Sequence, residues 1–170
     1  MMVICLVNTY DKLKLHEIHL RTIARAAPLC YAYDFHLALY EFGFWKTKGE
    51  LIEDIVEYTT IGKGGKYLRE LDNAGRLHVI RSVPAHFGDV IATTSKIEEK
   101  RLAIDDLKSL KSACFLIGLG RKGLPKDLIK RAKYTLDVTF RNVSLETCSA
   151  IGAIAALVWV VRYGGHQSLP

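Results

Sequence analysis

Uninterrupted apolar runs alternate along this chain with stretches of helical periodicity. Met2–Val7 carries no polar residue and reads as a buried strand that Asn8–Asp11 ends. Residues 14–27 place Leu15, Ile18, His19, Thr22, Ile23 and Ala26 on one helical face, and Pro28 is expected to stop that helix. Leu29–Tyr33 then reads as a second strand. Residues 35–47 are expected to form a short helix and a loop broken at Gly43. Residues 48–59 predict an amphipathic helix through Leu51, Ile52, Ile55, Val56 and Tyr58, with Glu50, Glu53, Asp54 and Glu57 outside. After a glycine turn at 62–65 the helix resumes, and Leu77–Ile80 and Val90–Thr93 read as strands either side of a loop at Pro84–Gly88. Periodicity at Ile97, Arg101, Ile104, Leu107 and Leu110 predicts a helix over 97–110.

Residues 113–163 hold the clearest pattern. Cys114–Ile117 is a continuous apolar strand that stops at Gly118, and Pro125 suits the first position of a short helix because its missing N–H costs nothing there. A strand over 133–140 and an apolar closing helix over 146–161 follow. Short apolar strands alternating with helices predict an α/β fold, with a mainly parallel sheet covered on both faces. The loop Gly118–Gly123 joins a strand end to a helix start, where open α/β sheets bind ligands.

Composition agrees with one globular domain over residues 1–170: 49% hydrophobic and 25% charged residues exclude a disordered chain. The net charge is +6, unevenly spread. Residues 1–60 sum to −2, residues 61–82 to +3 and residues 96–133 to +6, so positive charge flanks the glycine loop and permits a nucleic-acid partner. Cys5, Cys30, Cys114 and Cys148 form no C-x-x-C pair and read as free thiols of a cytoplasmic protein. Residues 148–161 carry no charge but are too short to span a membrane, and their small residues suit close helix packing. No membrane partner and no metal are expected; His16 and His19 share a helix face but lack a third ligand at sensible spacing.

Ile117–Gly118–Leu119–Gly120–Arg121–Lys122–Gly123–Leu124–Pro125, a strand, and then Ser144–Leu145–Glu146–Thr147–Cys148–Ser149–Ala150 resemble the second and third motifs of the SPOUT superfamily, the trefoil-knotted RNA methyltransferases that use S-adenosylmethionine. Leu20–Arg21–Thr22 is similar to the first motif of its SpoU branch. The resemblance implies a C-terminal α/β knot and a homodimer through the helix 146–161 that completes the pocket. It implies a cofactor cradle from Thr93, Thr94, Ile117, Gly118, Leu119, Gly120, Gly123, Val138, Val143, Ser144, Thr147 and Ala150. It makes Arg21 and Glu146 the candidate catalytic residues, with Asp89 and His86 as further proton handlers. Arg121 and Glu146 stand where the family carries Glu and Asn, which leaves the methylated atom open.

Two other readings use the same residues. Ile61–Gly62–Lys63–Gly64–Gly65–Lys66 resembles the glycine loop of KH RNA-binding domains, in which glycines let backbone approach phosphates. With Arg69, and with Arg121 and Lys122 at the other loop, it supports RNA binding without catalysis. Gly118-x-Gly120-x-x-Gly123 also matches a dinucleotide fingerprint, but Asp137 comes too early and inside a strand.

Overall fold

The computed structural model describes residues 1–96 and 99–164. In chain order they form β1 (Met2–Val7), α1 (Glu17–Ala32), β2 (His36–Tyr40), α2 (Lys48–Val56), α3 (Lys66–Asn73), β3 (Leu77–Ile80), β4 (Asp89–Thr93), α4 (Asp106–Ser109), β5 (Ala113–Gly118), α5 (Lys126–Arg131), β6 (Tyr134–Leu136) and α6 (Thr147–Tyr163). The strands make one sheet in the order β3-β2-β1-β5-β4-β6, and every pairing is parallel. The centre of the sheet is the β1–β5 seam, in register from Met2 opposite Ala113 to Val7 opposite Gly118.

Alternate residues of these strands feed two separate cores, as the pleat requires. Ile4, Leu6, Leu37, Leu39, Phe115 and Ile117 face α1, α2, α3, α4 and α6, and pack with Ile23, Cys30, Leu51, Leu68, Leu107 and Ile154. Val3, Cys5, Val7, Ala38, Ala92, Cys114 and Leu116 face the other way, onto Phe87, Leu124 and Ala132. The second face is covered thinly, by α5 and by the connection 81–88 that runs from edge strand β3 to β4. Phe87 anchors that strap at 0% exposure. Beside it Gly88 has φ +84°, and a Cβ there would meet the Ser112 carbonyl oxygen at 2.3 Å, so no other residue fits. Connections that step one way across the sheet lie on the first face and those that step back lie on the second, the arrangement a single crossover hand produces.

Five expectations are corrected. The strand expected over 133–140 spans only Tyr134–Leu136 and leaves Asp137 just past its end. Pro28 lies inside α1, and Leu29–Ala32 belong to its last turn instead of a strand. Proline removes one helical hydrogen bond, but Ala26, Ala27 and Cys30 are buried against the core and hold the helix past it. The second strand is His36–Tyr40, within the segment expected to be helix and loop. The helix expected over 97–110 is a single turn at Asp106–Ser109; Arg101 makes an isolated bridge to Thr135 instead, and Ile97 lies outside the described residues. Pro125 caps α5 with an extended backbone and does not open it.

Candidate functional site

A cleft of ≈ 210 Å³ lies where β4, β5 and β6 end. Three segments build it: residues 93–96 after β4, the glycine loop after β5, and residues 136–147 leading from β6 into α6. The glycine loop folds back on itself so closely that a Cβ on Gly118 would lie 2.6 Å from the Gly123 carbonyl carbon. Thr147 Oγ1 donates to the Gly118 carbonyl at 3.2 Å, so the start of α6 is tied to this loop. Ser95 Oγ and Ser144 Oγ share a hydrogen bond of 2.7 Å across the cleft rim. Thr93 Oγ1 donates to the Leu116 carbonyl at 2.7 Å.

The third segment is organised by Asp137, which is buried at 3% exposure. Its carboxylate accepts from Thr139 N (3.0 Å), Thr139 Oγ1 (2.7 Å) and Asn142 N (2.6 Å), and pairs with Arg101 Nη2 at 2.8 Å. Burial pushes this carboxyl up, but the Thr139 and Asn142 hydrogen bonds and the Arg101 charge outweigh it and hold the group below its usual range. The turn it closes has Phe140 and Asn142 at positive φ. Asp137 is not inside a strand as expected but directly follows β6 at its tip; it differs from the ribose-binding acid of a dinucleotide site because its oxygens are taken up by that turn and Arg101.

Ten of the expected cradle residues line the cleft: Thr93, Thr94, Ile117, Gly118, Gly123, Val138, Val143, Ser144, Thr147 and Ala150. Leu119 is buried beneath the loop, its carbonyl accepting from Thr9 Oγ1 at 2.6 Å, and Gly120 turns outward with φ +93°. Arg121 and Lys122 stand on the rim together with Lys96. Arg21 is on α1, outside the lining, and pairs with Glu17 at 2.6 Å. Glu146 is the N-cap of α6; its carboxylate accepts from Cys148 N at 3.0 Å and Ser149 N at 3.3 Å. Asp89 pairs with Lys133 at 2.9 Å at the start of β4, the end away from the cleft, and His86 packs on Phe87. The basic loop is also elsewhere. Gly62, Gly64 and Gly65 all have positive φ; Arg69 Nε donates to the Gly64 carbonyl at 2.8 Å; and Tyr67 packs on Tyr31 in the last turn of α1. Lys63, Lys66 and Arg69 therefore sit at the end of α1 remote from the cleft, across a helix about 24 Å long.

Sequence reasoning passed over residues 8–12. They border a second cavity, of ≈ 350 Å³, whose opposite wall is Lys122–Pro125. Asn8 is buried at 0% exposure and organises the turn: its Nδ2 donates to the Asp11 carbonyl at 2.8 Å and its Oδ1 accepts from His19 Nε2 at 3.1 Å. His19 Nδ1 in turn accepts from His16 N at 2.9 Å. These two ring bonds put the ring proton on Nε2, and burial lowers the His19 pKa. His16 Nε2 meets Asp11 Oδ2 at 2.8 Å, and this bond, with those from Lys14 and Leu13 N, lowers the Asp11 carboxyl to about 2. The available signal was a polar tetrapeptide at the C-terminal end of a central parallel strand.

This sheet order with its cleft is the fold of the SPOUT RNA methyltransferases. TrmJ from Z. mobilis ZM4 superposes with a TM-score of 0.65 at 16% identity, covering 100% of this chain and 71% of that one. The TrmH/SpoU tRNA modifying enzyme of A. aeolicus gives 0.59 at 14% identity, covering 96% and 76%. The chain itself belongs to the family described as "Protein of unknown function (DUF531)", which matches residues 2–159. It is 45% identical over 160 residues to the uncharacterized protein MJ0224 of Methanocaldococcus jannaschii, covering 91% of this chain and 90% of that one.

Proposed function

We propose that this protein is an RNA methyltransferase of the SPOUT type, with S-adenosylmethionine as methyl donor in the 210 Å³ cleft. The observation that carries the reading is the glycine loop closed on itself at Gly118–Gly123, with residues 137–147 laid beside it at the C-terminal end of a parallel sheet. The lining suits such a donor. Ile117, Leu136, Val138, Val143 and Ile154 offer an apolar bed for a purine, while Thr93, Ser95, Ser144 and Thr147 offer hydroxyls to a sugar and an amino acid. When bound, the donor supplies a methyl already activated on a sulfonium. The protein's task is then to orient it, exclude water and take up the nucleophile's proton.

Arg21 and Glu146 lie outside the lining of their own cleft, and we assign them to a site completed by a second copy. The exposed side of α6, with Val160 60% and Tyr163 42% exposed, supports a homodimer through residues 146–161. The α/β knot belongs to the same reading, supported by the Ser95–Ser144 and Thr147–Gly118 contacts that bind the 144–147 segment between two loops. Among the described residues no helix is long and apolar enough to cross a membrane, and with four free cysteines we place the protein in the cytoplasm. A second reading, RNA binding without catalysis through Lys63 and Lys66, is favoured by the three positive-φ glycines of their loop. Removing these lysines would lower the salt dependence of RNA affinity.

Calorimetric titration with S-adenosylmethionine, with NAD as control, tests the primary reading. Micromolar binding of the first alone is expected, lost in Gly118→Ala, where the added Cβ has no room. Methyl transfer from labelled donor into RNA would then follow. Absence of donor binding would leave the RNA-binding reading, and a preference for NAD would overturn both.

A further inference from the structure

We propose that the cavity between residues 8–12 and Lys122–Pro125 takes one unpaired nucleobase of a single-stranded RNA, stacked on Tyr10, with the adjoining phosphate on Lys122. This rests on the RNA reading above and names where the strand enters. The cavity is walled by Tyr10, Leu124 and Pro125 and carries its charge at the rim, on Lys12 and Lys122. A flat apolar ligand bearing an anion matches that distribution. Of the two lysines, Lys12 is tied to Glu41 at 2.5 Å, which leaves the phosphate to Lys122. Lys122, Gly123 and Leu124 line this cavity and the donor cleft alike, so a base seated here holds its sugar at the boundary between them.

Tyr10 is presented rigidly. Its side chain is next to Gly120, where a Cβ would lie 3.4 Å from the ring, and it packs edge-on with His16 and His19 at 5.2 and 5.7 Å. Its backbone N donates to the buried Asn8 Oδ1 at 3.3 Å. The residue is nevertheless 53% exposed. An aromatic side chain fixed by a hydrogen-bonded turn and left open to solvent beside an apolar wall costs little to order on binding, the condition for a stacking platform. A base inside a duplex has no free face to offer, so the site selects single strands or bases already turned out of the stack.

The test uses fluorescently labelled short oligo(A) and oligo(U) strands, the duplex they form, and free AMP and UMP, against the full chain and its Tyr10→Leu, Tyr10→Phe and Lys122→Ala variants. Binding of single strands above duplex is expected. Tyr10→Leu should weaken it about ten- to a hundredfold, Tyr10→Phe should retain it, and Lys122→Ala should lower the slope of affinity against salt. S-adenosylmethionine affinity should be the same in Tyr10→Leu as in the parent, which also certifies the fold. Single-strand binding indifferent to Tyr10→Leu would overturn the subsite and leave the RNA reading standing. Mononucleotides bound as tightly as strands would overturn the assignment to RNA strands. Failure to bind any RNA, with donor binding intact, would overturn the RNA reading and the subsite with it.

Discussion

Asn substituted for Asp137 keeps the side chain's shape and removes its charge. One of its two acceptors becomes a donor facing Asn142 N and the Arg101 guanidinium, which are both donors themselves. We expect Asp137→Asn to cost on the order of 2–3 kcal/mol, read from denaturant midpoints, because a buried group is left without its partner. Donor affinity should fall in parallel, since the turn that Asp137 closes carries Val138 and Val143 into the cleft. A second residue-scale effect sits on the other sheet face. His36 Nδ1 and His78 Nε2 are 3.0 Å apart with their rings stacked. Burial, then the neighbouring charge of His78, lowers His36 to about 4; burial, then Lys48, lowers His78. Both bind protons more weakly folded than unfolded. Their stability contribution is therefore complete above the unfolded value near 6.5 and is lost as the pH falls toward 4. Thermal melts across that window should show the loss, and His36→Asn should flatten it.

At the scale of elements, legibility followed local pattern and failed where packing overrode it. Met2–Val7 and Cys114–Ile117 announce themselves because strands buried on both faces need unbroken apolar runs. Pro28 argued for a helix end and was overruled by burial of the residues around it, a tertiary contribution invisible in the local sequence. His36–Tyr40 was missed because apolar residues crowd 35–45 at no clean period, and a short run of that kind fits helix or strand equally. Arg101, placed on a helix by spacing, pairs instead with a carboxylate 36 positions away. The cleft was legible through its glycines and the Ser144–Ala150 segment. The 8–12 turn was not, because its importance comes from the burial of Asn8 and from the bond of Thr9 to Leu119 in a loop 110 residues distant.

At the scale of the whole molecule, the proposed reading needs a second copy. Val160→Asp puts a charge in the last turn of α6, on an apolar side chain 60% exposed in the single chain. A folded monomer is expected from sedimentation equilibrium, against a dimer for the parent, with methyl transfer lost. An unchanged mass would place any interface elsewhere. The separation of the basic loop at 62–66 from the cleft also means that one RNA contacting both must run the length of α1.

The β1–β5 seam sets how the molecule can come into being. Its partners, Met2–Val7 and Ala113–Gly118, are more than a hundred residues apart in the chain. During synthesis β1, α1, β2 and the helices that follow emerge first, and β1 then presents an apolar strand with one row of peptide groups unpaired. No local segment can satisfy it. The sheet closes after most of the chain exists, and loop-closure entropy must be overcome before the central ladder returns anything. Folding should accordingly be slow for a chain of this length, and fragments ending before residue 113 should aggregate through the open edge of β1.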